Sequence, residues 1–142
     1  GHVLIFGVTS QLREAFDFSS IRVSLATVLA ASDEFGAVAI PCHPGRKRVG
    51  MFAHVDELGV PKGVRIVEIY NGGSRDNEDQ IASDWTNKLG YLGIGGSDSH
   101  IVSHIGRCVT KFPAGITSED ELVEALKAEE FEAINLKKQF VR

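Results

Sequence analysis

Short, dense apolar runs alternate along this chain with stretches in which apolar residues recur every three or four positions. "HVLIFGV" (2–8) is rich in β-branched and aromatic residues and predicts a strand. "AVAIP" (37–41) is a continuous apolar run, the pattern of a strand buried on both faces. "VRIVEIY" (64–70), "YLGIGG" (91–96) and "RCVTKF" (107–112) predict further strands. The glycines of "YLGIGG" suit a place where backbone or ligand approaches closely. Between these runs the period changes. Ile21, Leu25, Val28 and Leu29 share one helical face, with Ser19 or Ser20 available as a cap and Gly36 helping to end the segment. Met51, Val55 and Leu58 have helical spacing and are stopped by Gly59 and Pro61. Ile81, Trp85 and Leu89 form another face, with Gly90 just past its end. "SEDELVEALKAEEF" opens with a capping box from Ser118 to Glu121 and predicts a final helix.

The resulting order is β, α, β, α, β, α, β, β, α, which implies parallel βα units. Four to five strands are too few for an eight-stranded barrel, leaving an open α/β sheet or the later part of a larger barrel. The chain starts on the approach to a strand, without an initiator Met, and this favours the barrel portion, with N-terminal strands missing. No repeat, linker or low-complexity segment divides it, so residues 1–142 are read as a single unit. A hydrophobic content of 43% and a charged content of 24% fit a soluble globular protein. No apolar run approaches the ~20 residues of a membrane span, and no signal peptide is visible. The net charge of −4 argues against a strongly basic nucleic-acid footprint and is compatible with cation binding. Cys42 and Cys108 are too few for a disulfide framework, so a reducing, cytoplasmic setting is expected.

Three consecutive strand candidates run into chemically useful residues: Cys42-His43-Pro44-Gly45-Arg46, Asn71-Gly72-Gly73, and Ser97-Asp98-Ser99-His100. In parallel α/β folds the C-terminal strand ends share a face, so these residues are expected to converge. Asp98 and His100 are two apart and would point the same way in extended backbone. A carboxylate and an imidazole on one face suit Zn, Mn or Fe. Pro44 biases His43 toward extended backbone, holding its ring in one direction. Cys42 then faces the other way and is read as packing. Arg46 offers a planar fork suited to phosphate or belongs to a solvated basic loop, to which Lys47 and Arg48 are assigned. His104 is either an outer-shell partner of a ligand or a loop residue, and His54 a surface or packing one. Glu68 is structural or touches the site, and Asn71 forms a turn or contacts substrate.

Taken together, "PCHPGR", "EIYNG" and "GIGGSDSH" resemble the PHP (polymerase and histidinol phosphatase) family. "GHVLIFG", "IGRCVTKF" and "SEDELVEAL" look like its small stand-alone members. The resemblance implies a distorted (βα)7 TIM-like barrel with two or three divalent metal ions at the C-terminal strand ends. It also implies that His43, Asp98, His100 and, from the resemblance alone, His2 are metal ligands. The family's H-x-H motif and its glutamate ligand, which precede the "GHVLIFG" segment, do not occur in this sequence. The chain is therefore expected to be the C-terminal portion of one PHP domain.

The function these readings predict is metal-dependent hydrolysis of a phosphate ester by a metal-activated water, with Arg46 binding the phosphoryl group. The expected partner is a small phosphorylated substrate, a nucleotide or a short oligonucleotide. Two alternatives stand beside it: a non-catalytic PHP-like structural module, and a barrel-type metal hydrolase acting on C–N or C–O bonds.

Overall fold

The computed structural model describes residues 1–16 and 22–140. Among the described residues there are six strands: β1 (Val3–Phe6), β2 (Val38–Pro41), β3 (Ile66–Asn71), β4 (Leu92–Gly96), β5 (Cys108–Lys111) and β6 (Glu132–Asn135). Five α-helices accompany them among those residues: α1 (Ser10–Glu14), α2 (Leu25–Glu34), α3 (Val55–Leu58), α4 (Glu78–Leu89) and α5 (Glu119–Lys127). The α/β class expected from the sequence is what forms. The expected later part of a (βα)7 barrel is not recognisable, and the described residues close no barrel: their strands pair as three two-stranded ladders, β1–β2, β3–β4 and β5–β6. Only β3–β4 is parallel, whereas β1–β2 and β5–β6 are antiparallel. Alternating strands and helices reveal element order but not strand direction. The β1–β2 connection includes α1 and α2 and returns the chain in the opposite sense.

The ladders share one core. Ile40 of β2, Ile66 of β3, Ile94 of β4 and Leu126 of α5 are buried together, with Phe6, Leu92, Phe112 and Phe131 packed against them. β2 lies alongside β3, and β4 alongside β5 and β6. β5 comes close because β4 is rich in glycine: a side chain at Gly95 would run into the backbone of Val109. The Thr110 hydroxyl takes that space, donating to the Gly95 carbonyl at 2.8 Å and accepting from its N–H at 3.0 Å.

Local signals set the helix ends. α5 has the full reciprocal capping box between Ser118 and Glu121. α4 ends on Gly90 in the left-handed conformation, φ 69°. α2 begins later than the periodicity suggests, at Leu25, because Ser24 is its cap and accepts from the Thr27 N–H at 3.1 Å. Ser19, Ser20 and Ile21, the expected cap and first apolar position, lie outside the described residues. In α4 the deeply buried stripe is Glu78, Ala82 and Thr86, one position round from the predicted Ile81, Trp85 and Leu89. The cause is Gly45, whose lack of a side chain seats the β2 loop on the backbone of Glu78 and Ala82. Trp85 instead stacks on Phe52 at 5.5 Å, with the Lys88 ammonium 4.3 Å from its ring centre.

Candidate functional site

The loops after β2, β3 and β4 meet, and a hydrogen-bonded chain of side chains crosses from one to the next. It begins at His43, whose backbone N–H donates to Glu68 Oε2 at 2.7 Å. To make that bond His43 takes φ 33°, not the extended conformation that Pro44 was expected to favour. Glu68 is 4% exposed, and the same oxygen accepts from Asn71 Nδ2 at 2.9 Å. Burial pushes its carboxyl above the usual range, even though these donors and Arg46 pull it down. Gly96 leaves room for it: a side chain there would occupy the position of Glu68 Oε1.

Asn71 passes the chain on. Its Oδ1 accepts from Gly73 N–H at 2.9 Å and from Arg46 Nη2 at 3.0 Å. That guanidinium nitrogen also donates to Asp98 Oδ2 at 2.7 Å. Asp98 feels burial, which raises its carboxyl, but the hydrogen bond and charge of Arg46, with His43 nearby, hold it below the usual range. The Asn71 backbone is held from behind by Asp79 Oδ1 at 3.2 Å, and Asp79 is paired with Lys137 Nζ at 2.6 Å. Glu68, Asn71, Asp79 and Lys137 thus act around Arg46 as its support.

Asp98 lies beyond the end of β4 with φ 45°, so the expected extended Asp98–His100 pair does not form. His100 is exposed, and its Nδ1 donates to the Asp98 carbonyl at 2.9 Å, which leaves Nε2 as the ring's free acceptor. Both residues still line one cleft of about 650 Å³, together with Arg46, Arg75, His104 and Arg107. Arg75 and Arg107 were not singled out in the sequence. The available signal for Arg75 was its place on the Asn71-Gly72-Gly73 loop.

His2 and His43 lie on the far side of this chain. His2 Nδ1 and His43 Nε2 are 3.2 Å apart with the rings edge-on at 77°. Burial, with the Arg46 charge, lowers the His43 pKa and keeps its ring neutral. Its Nδ1 is buried with no hydrogen-bond partner. The separation of the two ring nitrogens is hydrogen-bond distance, and it is also close to the roughly 3.3 Å between two nitrogens bound to one tetrahedral ion. Asp98 is engaged by Arg46 and His100 points into the cleft. Among the described residues no three His, Cys, Asp or Glu side chains are arranged to hold one ion. Burial and the Glu68 charge push the Cys42 thiol up to about 12, which keeps it protonated.

Beyond the cleft, no described helix is long and apolar enough to cross a membrane. No curated protein and no solved structure matches the chain. Residues 77–131, from just before α4 through α5 and including Asp98 and His100, match the family model described as PHP-associated.

Proposed function

We propose that this chain is the C-terminal portion of a PHP-type metal-dependent phosphoesterase whose complete domain is a distorted (βα)7 barrel. The observation that supports it is the meeting of three strand-end loops through Arg46, which bridges Asn71 and Asp98 beside His43 and opens onto the cleft. In this reading His2 and His43 hold metal from one side, and Asp98 and His100 hold it from the cleft side once further donors complete the site. Two or three divalent ions, Zn, Mn or Fe, would supply a hydroxide at neutral pH and positive charge for the phosphoryl oxygens. The chain's own residues fix the geometry. Glu68 and Asn71 hold the His43 backbone and the Arg46 guanidinium, and Arg46 sets the direction of Asp98. The substrate is a small phosphorylated molecule, a nucleotide or a short oligonucleotide.

Elemental analysis of the intact protein, combined with phosphate release from a panel of monoesters and diesters, tests this. His43→Ala and Asp98→Ala should each lower turnover more than about a hundredfold, beyond the ~10–100-fold typical of losing an outer-shell partner. Full turnover in both variants overturns the reading, as does hydrolysis of an amide or lactone without phosphate release. A second reading, a non-catalytic PHP-like module, is favoured by the missing third ligand among the described residues. It predicts no ester turnover from the intact protein.

A further inference from the structure

Arg46, the residue whose sequence context suggested phosphate binding, is already engaged. Its Nη2 serves Asp98 and Asn71, and its Nε lies 4.0 Å from Glu78 Oε2. The cleft it borders contains two other guanidinium groups. Among the described residues, neither Arg75 nor Arg107 is in an ion pair. Arg107 is half-buried, and its Nε is shielded from solvent with no hydrogen-bond partner. An orphaned donor of that kind is costly. The carboxylates nearby do not serve. Asp98 is paired with Arg46, and Glu78 accepts from the backbone N–H groups of Lys47 at 3.3 Å and Arg75 at 2.9 Å. His104 borders the same space.

We propose that Arg75 and Arg107 form an anion subsite that takes the phosphate of a dianionic phosphomonoester, and that Arg46 is a positioning residue for Asp98. Two unpaired planar forks match a dianion better than the single negative charge of a phosphodiester. A cleft of about 650 Å³ also leaves room for the organic body of the ester. This deepens the proposed function and rests on it, because the subsite is useful to the reaction only if phosphate esters are substrates.

Inorganic phosphate is the probe, titrated into the intact protein by calorimetry and by NMR of the arginine side chains. Arg75→Gln and Arg107→Gln should each weaken phosphate about ten- to a hundredfold, the loss of one charge-assisted contact. Arg107→Lys keeps the stem and the charge, guards against misfolding, and should recover part of the affinity. Arg46→Gln should leave phosphate affinity within about threefold while releasing Asp98 from its 2.7 Å contact, seen as a shift and narrowing of the Asp98 side-chain carboxyl carbon signal in NMR. The proposal falls if the intact protein binds no phosphate. It also falls if the Arg75 and Arg107 variants bind phosphate as the unmodified chain does, or if Arg46→Gln alone abolishes binding. The ester panel separates this from the underlying reading. Unchanged monoester turnover in an Arg75→Gln, Arg107→Gln double variant defeats the subsite alone. No turnover of any ester by the unmodified protein defeats the phosphoesterase.

Discussion

The two sides of the candidate site are built on opposite principles. On one side, Glu68, Asn71 and the His43 backbone are buried and hydrogen-bonded to one another. On the other, Arg75, His100, His104 and Arg107 border open space, with no ion-pair partner for either arginine among the described residues. A satisfied buried network fixes geometry, and each member is costly to lose because its partners are left unpaired. An open row of donors contributes little to folding and keeps its hydrogen-bonding capacity for a ligand. Arg46 joins the two sides, with its guanidinium held by the first and its face on the second.

The contrast is most exposed to failure at Glu68. Glu68→Leu strands two buried donors, the His43 N–H and the Asn71 side-chain amide. A loss of about 2–4 kcal/mol is expected, from roughly 1–3 kcal/mol per stranded group less the relief of burying no charge. Glu68→Gln keeps an acceptor and should cost less. Urea unfolding checks both, and an equal cost would show that hydrogen bonding is not what the carboxylate supplies.

Gly45 tests the same side through packing alone. A methyl group there meets the Glu78 carbonyl and the Ala82 nitrogen of α4, backbone atoms that cannot rotate away. Gly45→Ala should cost about 1–3 kcal/mol. It should also loosen Arg46, on the same loop, which the hydrogen exchange of the Arg46 side chain would report. A change below about 0.5 kcal/mol would mean the loop does not depend on that seat.

What the sequence revealed and what it hid follow the same division between local and long-range causes. Ser118, Glu121 and Gly90 act within one helical turn of themselves, so the ends of α5 and α4 were legible. The direction of β1 against β2 depends on where the chain returns after α1 and α2, and nothing in "AVAIP" encodes it. β6 went unnoticed because four residues, exposed at both ends and half-buried in the middle, carry no period-two pattern. Asp98, His100, His43 and Arg46 stood out as chemistry at strand ends, but the positive φ of His43 and Asp98 answers to partners on other loops, Glu68 and Arg46. Glu68 itself was ambiguous for the same reason. A carboxylate among apolar residues is explained only when its donors, 25 and 3 residues away, are in place.

Acid titration sharpens the comparison with smaller effects. His43 is buried with a pKa lowered below 6.5, so the stability of its neutral form is present above 6.5 and is lost as pH falls through the lowered value. Glu68 has a pKa raised above 4.5, so its contribution has the opposite sign: stability falls as pH rises from 4.5 through the raised value. Between those two reference values acidification weakens the fold through His43 and strengthens it through Glu68. Glu68→Gln removes the second effect alone, so its stability should decline more steeply than the unmodified protein's as pH is lowered from 6.5. Urea midpoints measured across this range decide it, and a shallower decline would reverse the sign assigned to Glu68. Asp98, held low by Arg46 against its burial, should lose its contribution only as pH falls below 3.8, and Arg46→Gln should move that loss upward.

The smallest effect belongs to the open side. Arg75 is exposed, and its guanidinium is in no ion pair among the described residues; its backbone N–H holds Glu78, and a side-chain change leaves that bond intact. Arg75→Gln should therefore alter stability by less than about 0.5 kcal/mol, as surface changes away from packing and paired charge do. The value lies in setting this beside phosphate affinity, which the same substitution should weaken at least about tenfold. If the urea midpoint drops by the equivalent of more than about 1 kcal/mol, Arg75 belongs to the buried framework and the division drawn through Arg46 is in the wrong place. If stability holds while phosphate is lost, the open side is a binding surface carried by a framework that does not need it to fold.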